Sequence, residues 1–191
     1  MLLCFGDSNA WGFQPTGGRY QPDQGWPALL AARLETALDL QAQPGRTLQA
    51  ERPQSGLIAA PTAWQQALQR APQRIVLALG INDLAAGASL QAIDAALHWY
   101  LQQWQQLSPT ASLILLAPRP LGALTAGWRQ LFQGQEAPSQ QLAALWQQQA
   151  RQWGCGYYLP PPQVVGDDGL HWLASGHQSV AADLHAQFSS L

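Results

Sequence analysis

Short apolar runs punctuate the chain at residues 2–5, 75–79, 113–117 and, more weakly, 157–159, and each breaks off at a glycine or proline. Runs of this length, apolar without alternation, read as strands buried on both faces. Residues 47–52 alternate enough to add one further strand.

Between the runs the apolar spacing changes to threes and fours. Leu90, Ile93, Leu97, Tyr100, Leu101, Trp104 and Leu107 form a continuous stripe, with Ser89 placed to cap the helix they predict. Leu142, Leu145, Trp146 and Trp153 repeat the spacing behind Pro138-Ser139, and Gly154 stands where such a helix would stop. Trp26, Leu29, Leu30, Leu34 and Leu38 predict an earlier helix, capped by Asp23 and tolerating Pro27 in its first turn. A last helix is expected after Gly176, with Val180, Leu184 and Phe188 on one face, and a shorter one over 62–70.

Strands alternating with helices imply a parallel sheet, because parallel neighbours need helical crossovers. The expected architecture is α/β, a three-layer α/β/α sandwich in one domain over residues 1–191. In such sheets ligands bind outside the carboxyl ends of the strands. Polar residues do gather where the runs end: Ser8 in Gly6-Asp7-Ser8-Asn9, Ser55-Gly56 after the weaker strand, and Asn82 in Gly80-Ile81-Asn82-Asp83. Past the last run comes Asp167-Asp168-Gly169-Leu170-His171-Trp172. Loops 9–24 and 118–138, rich in Gly, Pro and aromatic residues, are long enough to wall a site.

Each of these motifs has a plainer reading when taken alone. Gly6-Asp7-Ser8-Asn9 suits a helix N-cap, Asn82-Asp83 and Asp168-Gly169 suit turns, and His171 beside Trp172 suits a core histidine. Chemistry becomes the stronger reading only because the motifs recur at successive strand ends.

Composition narrows the partners. At 191 residues a chain buries about 70% of its unfolded surface and needs neither disulfide nor metal to build a core. Net charge is −2, only 10% of residues are charged, and the basic residues, all Arg, are scattered singly. No basic stripe offers itself to a nucleic acid. No apolar run approaches the roughly 20 residues of a membrane span, and no basic segment leads into an apolar signal core, so a cytoplasmic location is expected. Cys4 and Cys155 have no metal-ligand spacing and are expected to be buried free thiols. His98 and His185 fall on helix surfaces, and His177 is expected to be structural; none has a partner at metal spacing. No Gly-x-Ser-x-Gly elbow and no phosphate-binding loop is present.

The four motifs together resemble the SGNH hydrolases, the GDSL esterase and lipase family. Ser8, Gly56, Asn82 and His171 match its four blocks in order across the chain. The resemblance implies a mostly parallel, flavodoxin-like sheet of about five strands and a serine esterase needing no cofactor or metal. It implies Ser8 as nucleophile, His171 as base and Asp168 as the residue orienting it, Asp-x-x-His being the family spacing that favours Asp168 over Asp167. The backbone N–H groups of Ser8 and Gly56 and the side chain of Asn82 would form the oxyanion hole.

The residue types suit that chemistry. A serine hydroxyl is a poor nucleophile until a neutral imidazole takes its proton, and the imidazole needs a carboxylate to hold its tautomer. The second block departs from many relatives, since Leu57-Ile58-Ala59-Ala60 stands where they carry Arg-Thr-Thr. Trp26-Pro27 and Trp11 are similar to the bacterial aryl-esterase-like branch. Trp11 and Trp172 flank the site in sequence, and either would wall a substrate pocket or pack in the core. The expected substrate is a small carboxylic ester, with a short, acetyl-like acyl group. A catalytically silent ester- or glycan-binding module, or an acyltransferase using the same residues, is the alternative. Nothing in the chain specifies a homo-oligomer.

Overall fold

The computed structural model describes residues 1–49, 58–59 and 61–190. In chain order the elements begin with β1 (Leu2–Gly6), α1 (Ser8–Trp11), α2 (Trp26–Arg33), β2 (Leu38–Ala42), β3 (Arg46–Thr47) and β4 (Ile58–Ala59). There follow α3 (Pro61–Leu68), β5 (Arg74–Ala78), α4 (Ile81–Ala85), α5 (Leu90–Leu107) and β6 (Ser112–Leu116). The chain closes with α6 (Ala126–Leu131), α7 (Glu136–Trp153), β7 (Gly156–Tyr158) and α8 (Ala174–Phe188).

Five strands form one sheet in the order β2-β1-β5-β6-β7, and every neighbouring pair is parallel. This is the flavodoxin-like order, with its reversal between β1 and β5. Successive residues of a strand point to opposite faces, and the core divides accordingly. Leu3, Phe5, Ile75, Leu77, Leu113 and Leu115 face one buried cluster with Trp64, Tyr100 and Trp146 from α3, α5 and α7. Leu2, Cys4, Val76 and Ile114 face the other, with Trp26 and Leu30 of α2 and Val180 and Leu184 of α8. Three layers result, and β1, β5 and β6 are covered on both sides.

The expectation of a helix reaching Leu38 is corrected. Helix α2 ends at Arg33, Glu35 takes a left-handed φ of 48°, and the chain turns into β2, an edge strand. Leu34 and Leu38 continue the four-residue spacing across that turn, and no glycine marks the stop. Nor does Asp23 cap the helix. Gly25 is the cap residue, and the backbone N–H of Trp26 donates to Nδ1 of the buried His177 at 3.1 Å.

The strand expected over 47–52 is corrected too. Arg46–Thr47 pairs with Ile58–Ala59 in a separate two-stranded parallel sheet, while residues 50–52 lie outside the described residues. Three helix starts shift as well. Helix α3 begins at Pro61, α7 at Glu136, so that Pro138 and Ser139 lie in its first turn, and α8 at Ala174. The loop over 118–138 carries α6 within it. Cys4 is buried, whereas Cys155, expected to be buried, is half-buried just before β7, and both are free thiols. Among the described residues no helix is long and apolar enough to cross a membrane.

Candidate active site

Strand β1 delivers Ser8 to the sheet edge through close packing. Gly6, its last residue, leaves no room for a side chain: a Cβ there would sit 2.5 Å from Cβ of Ala10 and 3.1 Å from the carbonyl of Ala78. The glycine thus serves contact between α1, β1 and β5. Asp7 then caps the single turn α1, its Oδ1 accepting from the Asn9 N–H at 3.0 Å. Asp7 is only 5% exposed, and burial pushes its carboxyl up to about 7 against the pull of that N–H, its own backbone and Arg46.

Ser8 Oγ lies 3.1 Å from His171 Nε2, and His171 Nδ1 lies 2.6 Å from Asp168 Oδ2. The other oxygen of Asp168 accepts from the backbone N–H groups of Leu170 and His171 at 3.0 and 2.9 Å, which fixes the carboxylate plane. Asp167, the competing acid, is exposed. Asn9 ties α1 to the histidine turn, donating to the Leu170 carbonyl and accepting from the Trp172 N–H. His171 is 1% exposed; burial lowers its pKa from the ordinary imidazole value, and Asp168 partly opposes that shift.

Asn82 follows β5, the neighbour of β1, and is buried at the start of α4. Its Nδ2 donates to the Arg46 carbonyl at 3.2 Å. The turn before it requires Gly80, whose φ of 123° excludes other residues and whose Cβ would meet the indole of Trp146 at 2.5 Å. Asp83 is wholly buried and pushed up to about 7 by burial, against the backbone N–H groups of Leu48 and Gln49 that it accepts. Gly56 lies outside the described residues.

The two flanking tryptophans separate. Trp172 is 3% exposed and packs in the core beneath α2 and α8. It also edges a cavity of about 400 Å³, counted with its opening to solvent, that is lined by Asp7, Asn9, Ile81, Leu170 and Arg119 as well. None of Ser8, Asp168 and His171 lines that cavity. Trp11 is half-buried, with the Arg19 guanidinium 4.4 Å above its ring.

Two other aromatic residues stand closer to the imidazole, and the sequence reading missed both. The ring centroid of Phe13 lies 4.4 Å from that of His171, and that of Trp128, on α6, lies 5.1 Å from it. Both rings are half-buried. Each comes from one of the two long loops, and that placement was the available signal. The second loop is pinned to the Asp168-Gly169 turn, since Gly122 N–H donates to the Gly169 carbonyl and Thr125 N–H to that of Asp168.

This arrangement can pass a proton from a hydroxyl to an imidazole whose charge a buried carboxylate would balance. Side chains so linked, outside the carboxyl ends of strands at the reversal of a flavodoxin-like sheet, define an SGNH-type hydrolase. The chain belongs to the GDSL-like lipase/acylhydrolase family, whose model matches residues 4–179. It is a carboxylic ester hydrolase. A carbohydrate acetylesterase from Sinorhizobium meliloti superposes with a TM-score of 0.89 at 22% identity, covering 99% of this chain and 98% of that one. An aryl esterase from M. smegmatis superposes at 0.87 with 21% identity over 100% and 98% of the two chains. A second carbohydrate acetylesterase family member from Sinorhizobium meliloti does so at 0.82, with 24% identity over 99% and 97%. At these identities the likeness is one of fold. No curated protein sequence matches the chain.

Proposed function

We propose that the protein is a serine esterase that removes short, acetyl-like acyl groups from small esters through an acyl-enzyme on Ser8. One observation carries this reading: the continuous chain from Ser8 Oγ through the His171 ring to Asp168, at 3.1 and 2.6 Å. His171 Nε2 takes the hydroxyl proton as Oγ attacks the ester carbonyl. Asp168 holds the tautomer and balances the imidazolium. In this reading the new oxyanion is met by the N–H groups of Ser8 and Gly56 and by the Asn82 amide. His171 then gives its proton to the departing alcohol, and water repeats the cycle on the acyl-enzyme.

The acetyl-like acyl group is supported by the acetylesterases among the structural neighbours. Phe13 and Trp128 beside His171 would line the path of the departing alcohol, because the imidazole must reach its oxygen. Flat rings at that position favour an alcohol that is itself a ring.

The test compares wild type with Ser8→Ala on nitrophenyl esters of increasing acyl length, with and without a competing alcohol. Turnover that is fastest on acetate and lost in the variant supports the reading, as does labelling of Ser8 by a serine-directed phosphonate. Equal turnover by both proteins on every ester, with no labelling, overturns it. Partition of the acyl group to the added alcohol in preference to water would make the protein a transferase.

A further inference from the structure

Two consecutive side chains of α4 grip one short stretch of backbone. Asn82 Nδ2 donates to the carbonyl of Arg46 at 3.2 Å. Asp83, next to it, accepts the N–H of Leu48 on both carboxylate oxygens at 3.1 Å each, and the N–H of Gln49 at 3.3 Å. The gripped stretch is β3 and its continuation. It is held on its other side as well, because the Arg46 guanidinium lies 4.4 Å above the Phe5 ring of β1 and donates to the Gln41 carbonyl of β2.

A primary amide nitrogen carries two hydrogens. When the Arg46 carbonyl takes one, rotation of the Asn82 side chain stops and the direction of the other is set. That carbonyl is itself fixed only as well as its strand is. Burying a carboxylate in a site with 0% exposure is costly, and this one is spent on the backbone N–H groups of Leu48 and Gln49, the two residues that follow β3. The strand just before them, β3, pairs with β4, which follows Gly56 in sequence by two residues.

We propose that Asp83 is a positioning residue for oxyanion stabilisation: by clamping residues 46–49 it fixes the carbonyl that aims the Asn82 amide. The proposal rests on Asn82 being an oxyanion donor. Asp83 touches no reacting atom, and its effect passes through Asn82.

Coupling between the two residues is the measurement. Asp83→Asn, Asp83→Ala, Asn82→Ala and the two double variants are assayed on nitrophenyl acetate, with melting temperatures and with the affinity for phenylboronic acid, which forms a tetrahedral adduct on an active-site serine. Asn82→Ala is expected to lower kcat by about 10²- to 10³-fold. Asp83→Asn, which retains the shape and one acceptor oxygen, is expected to lower kcat about tenfold with KM within about twofold, and to weaken the boronate by the factor lost in kcat/KM. In the Asn82→Ala background the same change is expected to cost less than about threefold, the signature of residues acting as a unit. Asp83→Ala should follow the same pattern with a larger loss, and if it fails to fold, Asp83→Asn decides alone. Full multiplication of the two effects, or a fall in melting temperature with kcat unchanged, overturns the proposal while leaving Asn82 in its role. Wild-type kcat in Asn82→Ala overturns the oxyanion reading itself, and the clamp with it.

Discussion

Ser8 Oγ and His171 Nε2 lie 3.1 Å apart although 163 residues separate them in the chain. Both residues are buried, and the histidine is the more deeply so. Burial favours the neutral imidazole, which is the form able to accept the serine proton.

The pH dependence follows from that. Burial lowers the His171 pKa, with Asp168 opposing, so the base becomes active below the ordinary imidazole value of 6.5. kcat/KM on nitrophenyl acetate should rise with pH and reach half its plateau below pH 6.5. A midpoint above 6.5 would contradict a neutral buried imidazole.

Replacing Asp168 tests whether its carboxylate orients His171. Asp168→Asn removes the charge that raises the His171 pKa and presents an amide to Nδ1. We expect kcat to fall by about 10⁴-fold and the acid limb of the profile to move lower still. Measured profiles of the two proteins at equal folding, checked by circular dichroism, decide it.

Asp7 carries a stability prediction of the opposite kind. Its folded pKa of about 7 stands above the ordinary carboxylate value of 3.8, so the native state holds a proton that the unfolded chain has lost between those two values. Its contribution to stability is therefore full below pH 3.8 and is lost as pH rises through 7. His177, lowered to about 4 by burial, acts oppositely as pH falls from 6.5, so the comparison must be between variant and wild type. Asp7→Asn retains a good capping side chain and cannot ionise. It should melt higher than wild type at pH 8, by about 2–4 °C for each kcal/mol regained, with the difference shrinking towards pH 4. Calorimetry at the two pH values measures it.

Gly80→Ala should damage both fold and site. The new Cβ would lie 2.5 Å from Trp146 at a φ of 123°, costing about 2–5 kcal/mol in strain and overpacking. Urea unfolding should show the loss as a lower midpoint, and activity should fall with it because Asn82 follows two residues later.

Strands β1, β5 and β6 were legible in the sequence because both faces of each are buried past the first residue of β5 and β6, which leaves an unbroken apolar run in each. Strand β2 was not legible. It is half-buried at the sheet edge, and Leu38 fell by chance on the helical spacing of the preceding turn. The side chains now linked around Ser8 were readable for a different reason. Their residue types are chemically unusual at strand ends, and their spacing resembles a known family. Phe13 and Trp128 carried no such mark, since an aromatic residue in a long loop serves a core or a rim equally well until the loop is placed. Asp83 was visible inside its motif, but its role depends on Leu48 and Gln49, whose own side chains say nothing of it.

The backbone bonds from Gly122 and Thr125 to the Asp168-Gly169 turn bear on how such an enzyme could be re-engineered. Residues 122–125 are best left in place, because moving them drags Asp168 along. Helix α6, which comes straight after them and carries Trp128, is the part to diversify in a library. Replacing it alone exchanges the surface an alcohol would meet and removes none of the hydrogen bonds that link Ser8, His171 and Asp168.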